Sequence, residues 1–197
     1  MNYWPIQPMK NDCGFWVQWV FGTGVGFLLS LLFVEVGVRP YIGALDGAMG
    51  GAAIALVQWL VLRQQFYRMG WWILATLLSW AFIGGSGLGA LGWIAPRTEL
   101  LGIRIFYGCL DGAMVGAFLG LGQWLVWRRY FSQAAWWILA SAMSWAVGLP
   151  CGWVVGGVLR DRTELFLAEV VGLAVAWLAI AALSGLALIL LRRHPLV

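Results

Sequence analysis

The sequence predicts an all-α membrane protein of six transmembrane helices, arranged as three tandem helical hairpins in one domain that covers residues 1–197. Three observations predict it: six long apolar stretches, an internal duplication, and a composition that is 62% hydrophobic and 10% charged. Ordinary soluble domains are roughly 25% charged. A chain this poor in polar residues cannot cover a core in water, whereas a hydrocarbon solvent removes that need.

The six stretches are each long enough to cross about 30 Å of hydrocarbon as a helix, which takes roughly 20 residues. They are apolar throughout, whereas the strands of a transmembrane β-barrel alternate between apolar and polar residues. The expected spans are 14–34, 41–62, 70–94, 105–127, 135–159 and 170–191.

A duplication relates residues 43–100 to residues 108–165 at a constant offset of 65, with 29 of 58 positions identical. GALDGAM at 43–49 recurs as GCLDGAM at 108–114, QWLVLR at 58–63 as QWLVWR at 123–128, and WWILA at 71–75 as WWILA at 136–140. Chance hydrophobic similarity would not keep Asp, Gln and Arg in register. A fainter match of the last stretch to residues 108–129 suggests three hairpins, 14–63, 70–128 and 135–193, compatible with a pseudo-threefold axis.

The distribution of basic residues predicts that both termini are cytoplasmic. Seven Lys and Arg fall on the side of the termini and five on the other side, and cytoplasmic loops carry the excess of Lys and Arg. Seven tryptophans are expected at the cytoplasmic boundary, where an indole can lie between lipid and water: Trp59, Trp71, Trp72, Trp124, Trp127, Trp136 and Trp137.

Glycines recur every four residues in the second and fourth stretches and predict a packing seam. Four residues advance about 400° on an α-helix, so these glycines form one slowly drifting stripe that lets a neighbouring helix approach closely. A groove for a flat lipid or pigment is the alternative. The stripe consists of Gly43, Gly47, Gly51, Gly108, Gly112, Gly116 and Gly120.

Asp46 and Asp111 are ionisable groups inside predicted spans, which makes them functional candidates by default. Arg39 is an available partner for Asp46, and Arg97 or Arg104 for Asp111. A structural salt bridge or a hydrogen-bonded helix start is one interpretation, and a proton or cation site is the other.

Gln58 and Gln123 lie close to the glycine stripe, so their amides are expected to form hydrogen bonds to a neighbouring helix. At the other end, Thr98 and Thr163 are expected to cap helices, with an acid in each first turn. The same charged loops are the candidate partner-facing surface: Arg97, Glu99, Arg162 and Glu164.

Several classes of chemistry find no support. The cysteines, Cys13, Cys109 and Cys151, have no metal-ligand spacing, and the sole histidine is His194; no metal or haem is therefore expected. A Cys109–Cys151 disulfide is conceivable, but buried free thiols are favoured. No hydrolase, P-loop or metalloprotease motif is present, so no enzyme is predicted. The basic residues are spread among the loops, which argues against a nucleic-acid partner.

The combination of QWLVxR with WWILA resembles repeat-containing multi-pass membrane proteins of cyanobacterial and Chloroflexi-type genomes, over residues 43–165. The resemblance implies a membrane location, such as a bacterial inner membrane, and a photosynthetic or filamentous bacterial source. It brings no catalytic residue.

Two functional hypotheses follow. The first is a non-catalytic accessory or scaffold subunit packed inside a larger membrane complex, photosynthetic or otherwise energy-converting, with membrane lipids, other membrane subunits and pigment as candidate contacts. The second is a small transporter or channel that uses Asp46 and Asp111.

Overall fold

The computed structural model describes residues 11–37, 42–96 and 98–195, which form six α-helices. Five of these are long and apolar enough to cross a membrane, and the third is shorter. The helices are α1 Asp12–Ser30, α2 Ala44–Leu62, α3 Gly70–Gly85, α4 Leu101–Trp127, α5 Trp136–Thr163 and α6 Leu167–Leu191.

The expected third span, 70–94, is not one helix. α3 ends at Gly85 after 16 residues, about 24 Å at 1.5 Å per residue. Gly87 and Gly89 then adopt positive φ angles of 84° and 75°, a region that glycine enters without steric cost. The chain continues as a short 3₁₀ turn, Leu91–Trp93. The equivalent part of the second copy stays helical within α5, through Pro150.

The residues of this 3₁₀ turn are buried in the bundle. The Trp93 indole donates to Ser30 Oγ at 2.7 Å, the Trp177 indole donates to the Gly92 carbonyl at 2.9 Å, and Trp93 has no exposed surface. The second bond uses a backbone carbonyl of the segment after α3, a polar group that would otherwise be unpaired away from water.

The helices form a closed ring. Each one packs against the next in chain order, and α1 also packs against α6. The Trp16 indole donates to the Ala182 carbonyl at 2.9 Å across this seam. A ring of this kind places one face of every helix toward a common centre and leaves the opposite face outside.

Two aromatic clusters fill that centre. The first lies toward the loops that precede α3 and α5, and contains Phe15, Trp19, Phe66, Trp72, Trp127, Tyr130, Phe131 and Trp137. The second lies toward the other end and contains Phe27, Trp80, Trp93, Trp145 and Trp177. Ring centroids within each cluster are about 5–6 Å apart, in the range of edge-to-face packing.

Three of the seven tryptophans expected at a membrane boundary are therefore core residues. Trp72 and Trp127 have no exposed surface, and Trp137 is 2% exposed. Trp71 and Trp136, each directly before one of the buried residues, do lie outside, at 52% and 62%. A helix turns about 100° per residue, so the two members of each Trp-Trp pair cannot share a face.

The outer surface of the ring is apolar. Large hydrophobic side chains such as Phe21, Leu32 and Phe106 are more than 60% exposed. The three cysteines are free thiols, as expected, but they are exposed on this surface and not buried.

Candidate functional site: a buried polar ring

Gln58 joins three helices through its side-chain amide. Its Nε2 donates to Thr23 Oγ1 of α1 at 3.1 Å, and its Oε1 accepts from the Trp72 indole of α3 at 3.1 Å. The three side chains are between 0% and 7% exposed. The predicted interhelical hydrogen bonds of Gln58 are thus present, and they join two neighbours at once.

Gln123 repeats this arrangement one copy later. Its Nε2 donates to Thr76 Oγ1 of α3 at 3.1 Å, and its Oε1 accepts from the Trp137 indole of α5 at 2.9 Å. Both glutamines are 7% exposed. The duplication therefore preserves a complete hydrogen-bonded unit: a glutamine, the indole that follows it by 14 residues, and a threonine on the helix before it.

The seam between α1 and α6 carries a related bond, because the Trp19 indole donates to Ser184 Oγ at 3.1 Å. Five of the six contacts between neighbouring helices in the ring therefore contain a hydrogen bond between side chains. The α5–α6 contact is the exception within the described residues: helix α6 has Ala187 where α4 has Gln123, and the Ser141 hydroxyl of α5 takes part in no hydrogen bond. We call this set the buried polar ring: Thr23, Gln58, Thr76, Gln123, Ser141 and Ser184.

The buried polar ring surrounds a central cavity of about 30 Å³. Every residue that lines the cavity is buried. Trp19, Trp72 and Trp137 of the first aromatic cluster line one side, and Trp80, Trp145 and Trp177 of the second line the other. Ser144 is also in the lining. The site is therefore a small polar chamber with an aromatic layer at each end.

Four of the six ring residues were not predicted from the sequence, although a signal exists for three of them, Thr23, Thr76 and Ser141. Tryptophan is followed four residues later by a hydroxyl residue at 19 and 23, at 72 and 76, and at 137 and 141. This spacing places both side chains on one helix face. It occurs once in each of α1, α3 and α5, so it extends the pattern of the two duplicated segments to α1.

Asp46 and Asp111 do not line the central cavity. Both are half-buried. Asp46 lies in the first turn of α2, where the helix dipole favours a negative charge. Asp111 lies ten residues after the first residue of α4, deeper in its helix than expected. Relative to the duplicated sequence, α4 begins several residues earlier than α2 does. The structure thus brings Gln58 and Gln123 to one site and leaves both aspartates outside it.

A buried ion pair joins α4 to α6. Arg104 contacts both carboxylate oxygens of Glu169, at 3.0 and 2.8 Å, and also donates to the carbonyls of Thr98 and Trp153 at 2.7 Å. Arg104 is 1% and Glu169 is 2% exposed. Arg160 lies 3.5 Å from the same carboxylate. Arg104, one of the two candidate partners of Asp111, therefore pairs with Glu169 instead; the other candidate, Arg97, and the candidate partner of Asp46, Arg39, lie outside the described residues.

The glycines of α2 and α4 contact the helix that follows them. A Cβ added to Gly47 would lie 2.6 Å from the Trp80 carbonyl oxygen, and one added to Gly116 would lie 2.5 Å from the Ser141 carbonyl oxygen. Both distances are too short for real atoms. These contacts join α2 to α3 and α4 to α5. An equally close approach joins α5 to α6, where a Cβ added to Gly152 would lie 2.4 Å from the Gly172 carbonyl oxygen.

The expected caps at the other end of the ring are not formed as predicted. α4 begins at Leu101 with no side-chain cap, although Thr98 Oγ1 accepts from Leu100 N at 3.2 Å just before it. Thr163 is the last residue of α5, and its hydroxyl donates to the Leu159 carbonyl. Glu164 follows at a positive φ of 58°. Glu164 was expected in the first turn of the next helix, but that position is occupied by Glu169. The reason is that α5 extends to Thr163, past the predicted end of its span at residue 159.

At the end of the ring near the first aromatic cluster, basic residues lie against aromatic rings. Arg63 stacks on Trp59 at 4.8 Å and Arg128 on Trp124 at 5.3 Å, a repeated pair. Arg192, just after α6, lies over Phe15 at 3.9 Å. Burial lowers the pKa of its guanidinium to about 10, with Asp12 acting in the opposite direction.

The chain matches no protein-family model, no curated protein and no solved structure. The site must therefore be interpreted from its own chemistry. It offers neutral hydroxyls, amides and indoles, and a small enclosed volume. Such groups bind and position small polar molecules, or hold helices together.

Proposed function

We propose that the protein is a non-catalytic accessory or scaffold subunit of a larger membrane complex, photosynthetic or otherwise energy-converting. In this proposal all six helices cross the membrane as three tandem hairpins around a pseudo-threefold axis, with glycine-zipper packing. The observation that carries it is the filled centre of the ring. Two aromatic layers and the buried polar ring occupy the place where a transporter or channel would have a path.

The hydrogen bonds around the ring support the same view. Bonds from Gln58 and Gln123 each join two neighbouring helices, and the Arg104–Glu169 pair adds a further connection. Interhelical hydrogen bonds in membranes each contribute about 0.6 kcal/mol on average. Several of them favour a single rigid arrangement, which suits a subunit that offers a constant surface to its neighbours.

A candidate contact surface for a partner subunit lies around the end of α5. Arg162 and Glu164 are exposed there, next to Leu165 and Leu167, which are 59% and 64% exposed. Exposed apolar side chains beside charges of both signs are common where proteins associate. The predicted partner-facing residue Arg97 lies outside the described residues, whereas Glu99 is exposed.

The test is photo-crosslinking in native membranes, followed by purification in mild detergent and native gel electrophoresis. A photoreactive amino acid at Leu165 should give a protein adduct of defined mass. The same group at Phe21, on the apolar outer face, is the matched control and should label lipid. Adducts to lipid alone from both positions, together with a lone species on the native gel, would refute the scaffold function.

In the proposed topology, the protein lies in a bacterial inner membrane and both termini are on its cytoplasmic side. It is tested by labelling with a charged, membrane-impermeant maleimide. In a background without native cysteines, Arg63→Cys and Arg128→Cys should react only in inverted vesicles, whereas Glu164→Cys should react in intact cells. Arg63→Cys and Arg128→Cys reacting from opposite sides would contradict six spans.

The alternative proposal is a small transporter or channel that uses Asp46 and Asp111. It is favoured by one observation, since neither carboxylate forms an ion pair with a described residue. Asp46→Asn combined with Asp111→Asn should abolish proton or cation flux in proteoliposomes if this is correct. Unaltered flux, with only a lower unfolding temperature, would identify both acids as structural.

A further inference from the structure

The buried polar ring is incomplete at one place, and the central cavity borders it. Gln58 and Gln123 each donate to the hydroxyl of the preceding helix, Thr23 and Thr76. Ser141 is the corresponding hydroxyl of α5, but no amide of α6 reaches it within the described residues. Ser141 is nevertheless only 4% exposed, and it lines the cavity. A buried hydroxyl without a partner is costly.

The hydroxyls of Thr23 and Thr76 also lack one hydrogen bond each. Each accepts a hydrogen bond from a glutamine, but neither donates its own hydroxyl hydrogen to any described residue. Both side chains line the cavity with Ser141. Three hydroxyls on α1, α3 and α5 therefore border one enclosed space, each with a hydrogen available.

We infer that the central cavity is a binding site for ordered water, which takes the place of the glutamine that α6 lacks. A volume of about 30 Å³ has room for about one or two water molecules. A buried water typically forms two to four hydrogen bonds with otherwise unsatisfied groups. The hydroxyls of Thr23, Thr76 and Ser141 can donate to water in the cavity, at most two of them to one molecule, and Ser184 Oγ can accept from it.

The chemistry of the lining favours a neutral ligand. Among the described residues, the lining consists of serines, threonines, glutamines, tryptophans and aliphatic side chains, with no charged group. An ion in this position would have no counter-ion, and burying an unpaired ion is far more costly than burying water.

The test is proton NMR of the indole N–H groups in detergent micelles, with each tryptophan signal assigned by substitution. Magnetisation transfer from water should reach the indole protons of Trp19, Trp72 and Trp137, which line the cavity. It should be absent for Trp93, which is equally buried, donates to Ser30 and lies outside the lining. Absence of transfer to Trp19, Trp72 and Trp137 in the folded protein would overturn the inference.

Two variants connect the signal to the cavity. Ser141→Val replaces the hydroxyl with a methyl and adds volume, so the transfer to Trp137 should be lost. Ser141→Ala removes only the hydroxyl, and should weaken the transfer without overpacking. Ser79→Ala, a buried serine outside the lining, is the matched control and should leave it unchanged. Transfer that persists unchanged in both Ser141 variants would place the water elsewhere and overturn the assignment.

A bromide titration separates water from an anion, which three hydroxyl donors could also bind. If water occupies the cavity, the indole shifts of Trp19, Trp72 and Trp137 are expected to stay constant. A saturable shift that Ser141→Val abolishes would identify an anion site instead, and would overturn the inference.

Discussion

Replacing Glu169 with leucine leaves Arg104 without its counter-ion between α4 and α6. The Arg104 guanidinium retains its bonds to the carbonyls of Thr98 and Trp153. It loses both contacts to the carboxylate, at 2.8 and 3.0 Å. Because the two side chains are almost completely buried, water cannot replace the missing partner. We therefore expect Glu169→Leu to be strongly destabilising.

The size of the effect follows from burial. Removing one partner of a buried ion pair costs about 3–5 kcal/mol, because the other charge remains buried and uncompensated. Replacing both partners with apolar side chains is often neutral. The double variant Arg104→Met with Glu169→Leu should therefore be more stable than Glu169→Leu alone. Arg160 is 37% exposed and lies 3.5 Å from the carboxylate, so Arg160→Ala should cost less than about 1 kcal/mol.

The assay is thermal unfolding of the purified protein in detergent, followed by tryptophan fluorescence, for both single variants, the double variant and Arg160→Ala. A loss of about 4 kcal/mol corresponds to a decrease in midpoint of roughly 10 °C for a chain of this size. The deviation from additivity in the cycle measures the coupling between Arg104 and Glu169. If the double variant is destabilised by the full sum of the two single variants, the pair is not coupled and the reasoning is refuted.

Three further predictions use the same assay. Gln58→Leu leaves a buried indole and a buried hydroxyl unpaired and should cost about 1–3 kcal/mol; the exposed Gln64→Leu should stay within about 0.5 kcal/mol, and equal effects would contradict the role of the ring. Gly116→Ala should cost about 1–3 kcal/mol through overpacking, whereas Gly102→Ala, with open space around it, should not destabilise. Gly87→Ala should cost about 1 kcal/mol, because the positive φ of 84° disfavours alanine; no change there would mean that the segment after α3 relaxes freely.

The helices could be predicted from the sequence because their determinants are local. Five of the expected stretches correspond to single helices with ends displaced by a few residues, and the interhelical bonds of Gln58 and Gln123 followed from their angle to the glycine stripe. The end of α3 was missed because hydropathy averages over a window. Hydropathy does not distinguish Gly87 and Gly89 from any other glycine in an apolar stretch. Only the structure shows that their φ angles are positive.

The interactions between distant segments were not predictable in the same way. Arg104 was one of two candidate partners of Asp111, chosen by proximity along the chain. Its partner Glu169 is 65 residues away, and only the ring brings α4 and α6 into reach. The three core tryptophans were expected at a membrane boundary because composition does not show which indoles face inward, even within the adjacent pairs Trp71-Trp72 and Trp136-Trp137. Both errors concern the direction of a side chain, which packing determines.

The closure of the ring has a consequence for biosynthesis. Trp19 and Ser184, which bond across the seam, are 165 residues apart. Ribosomes add about 5–20 residues per second, so roughly 10–30 s pass before the second of these helices exists. During that interval α1 has no partner for its indole at Trp19. An insertase that shelters newly made helices from lipid is thus expected to retain α1 until α6 emerges, and its depletion should yield chains that protease digests from the amino-terminal side.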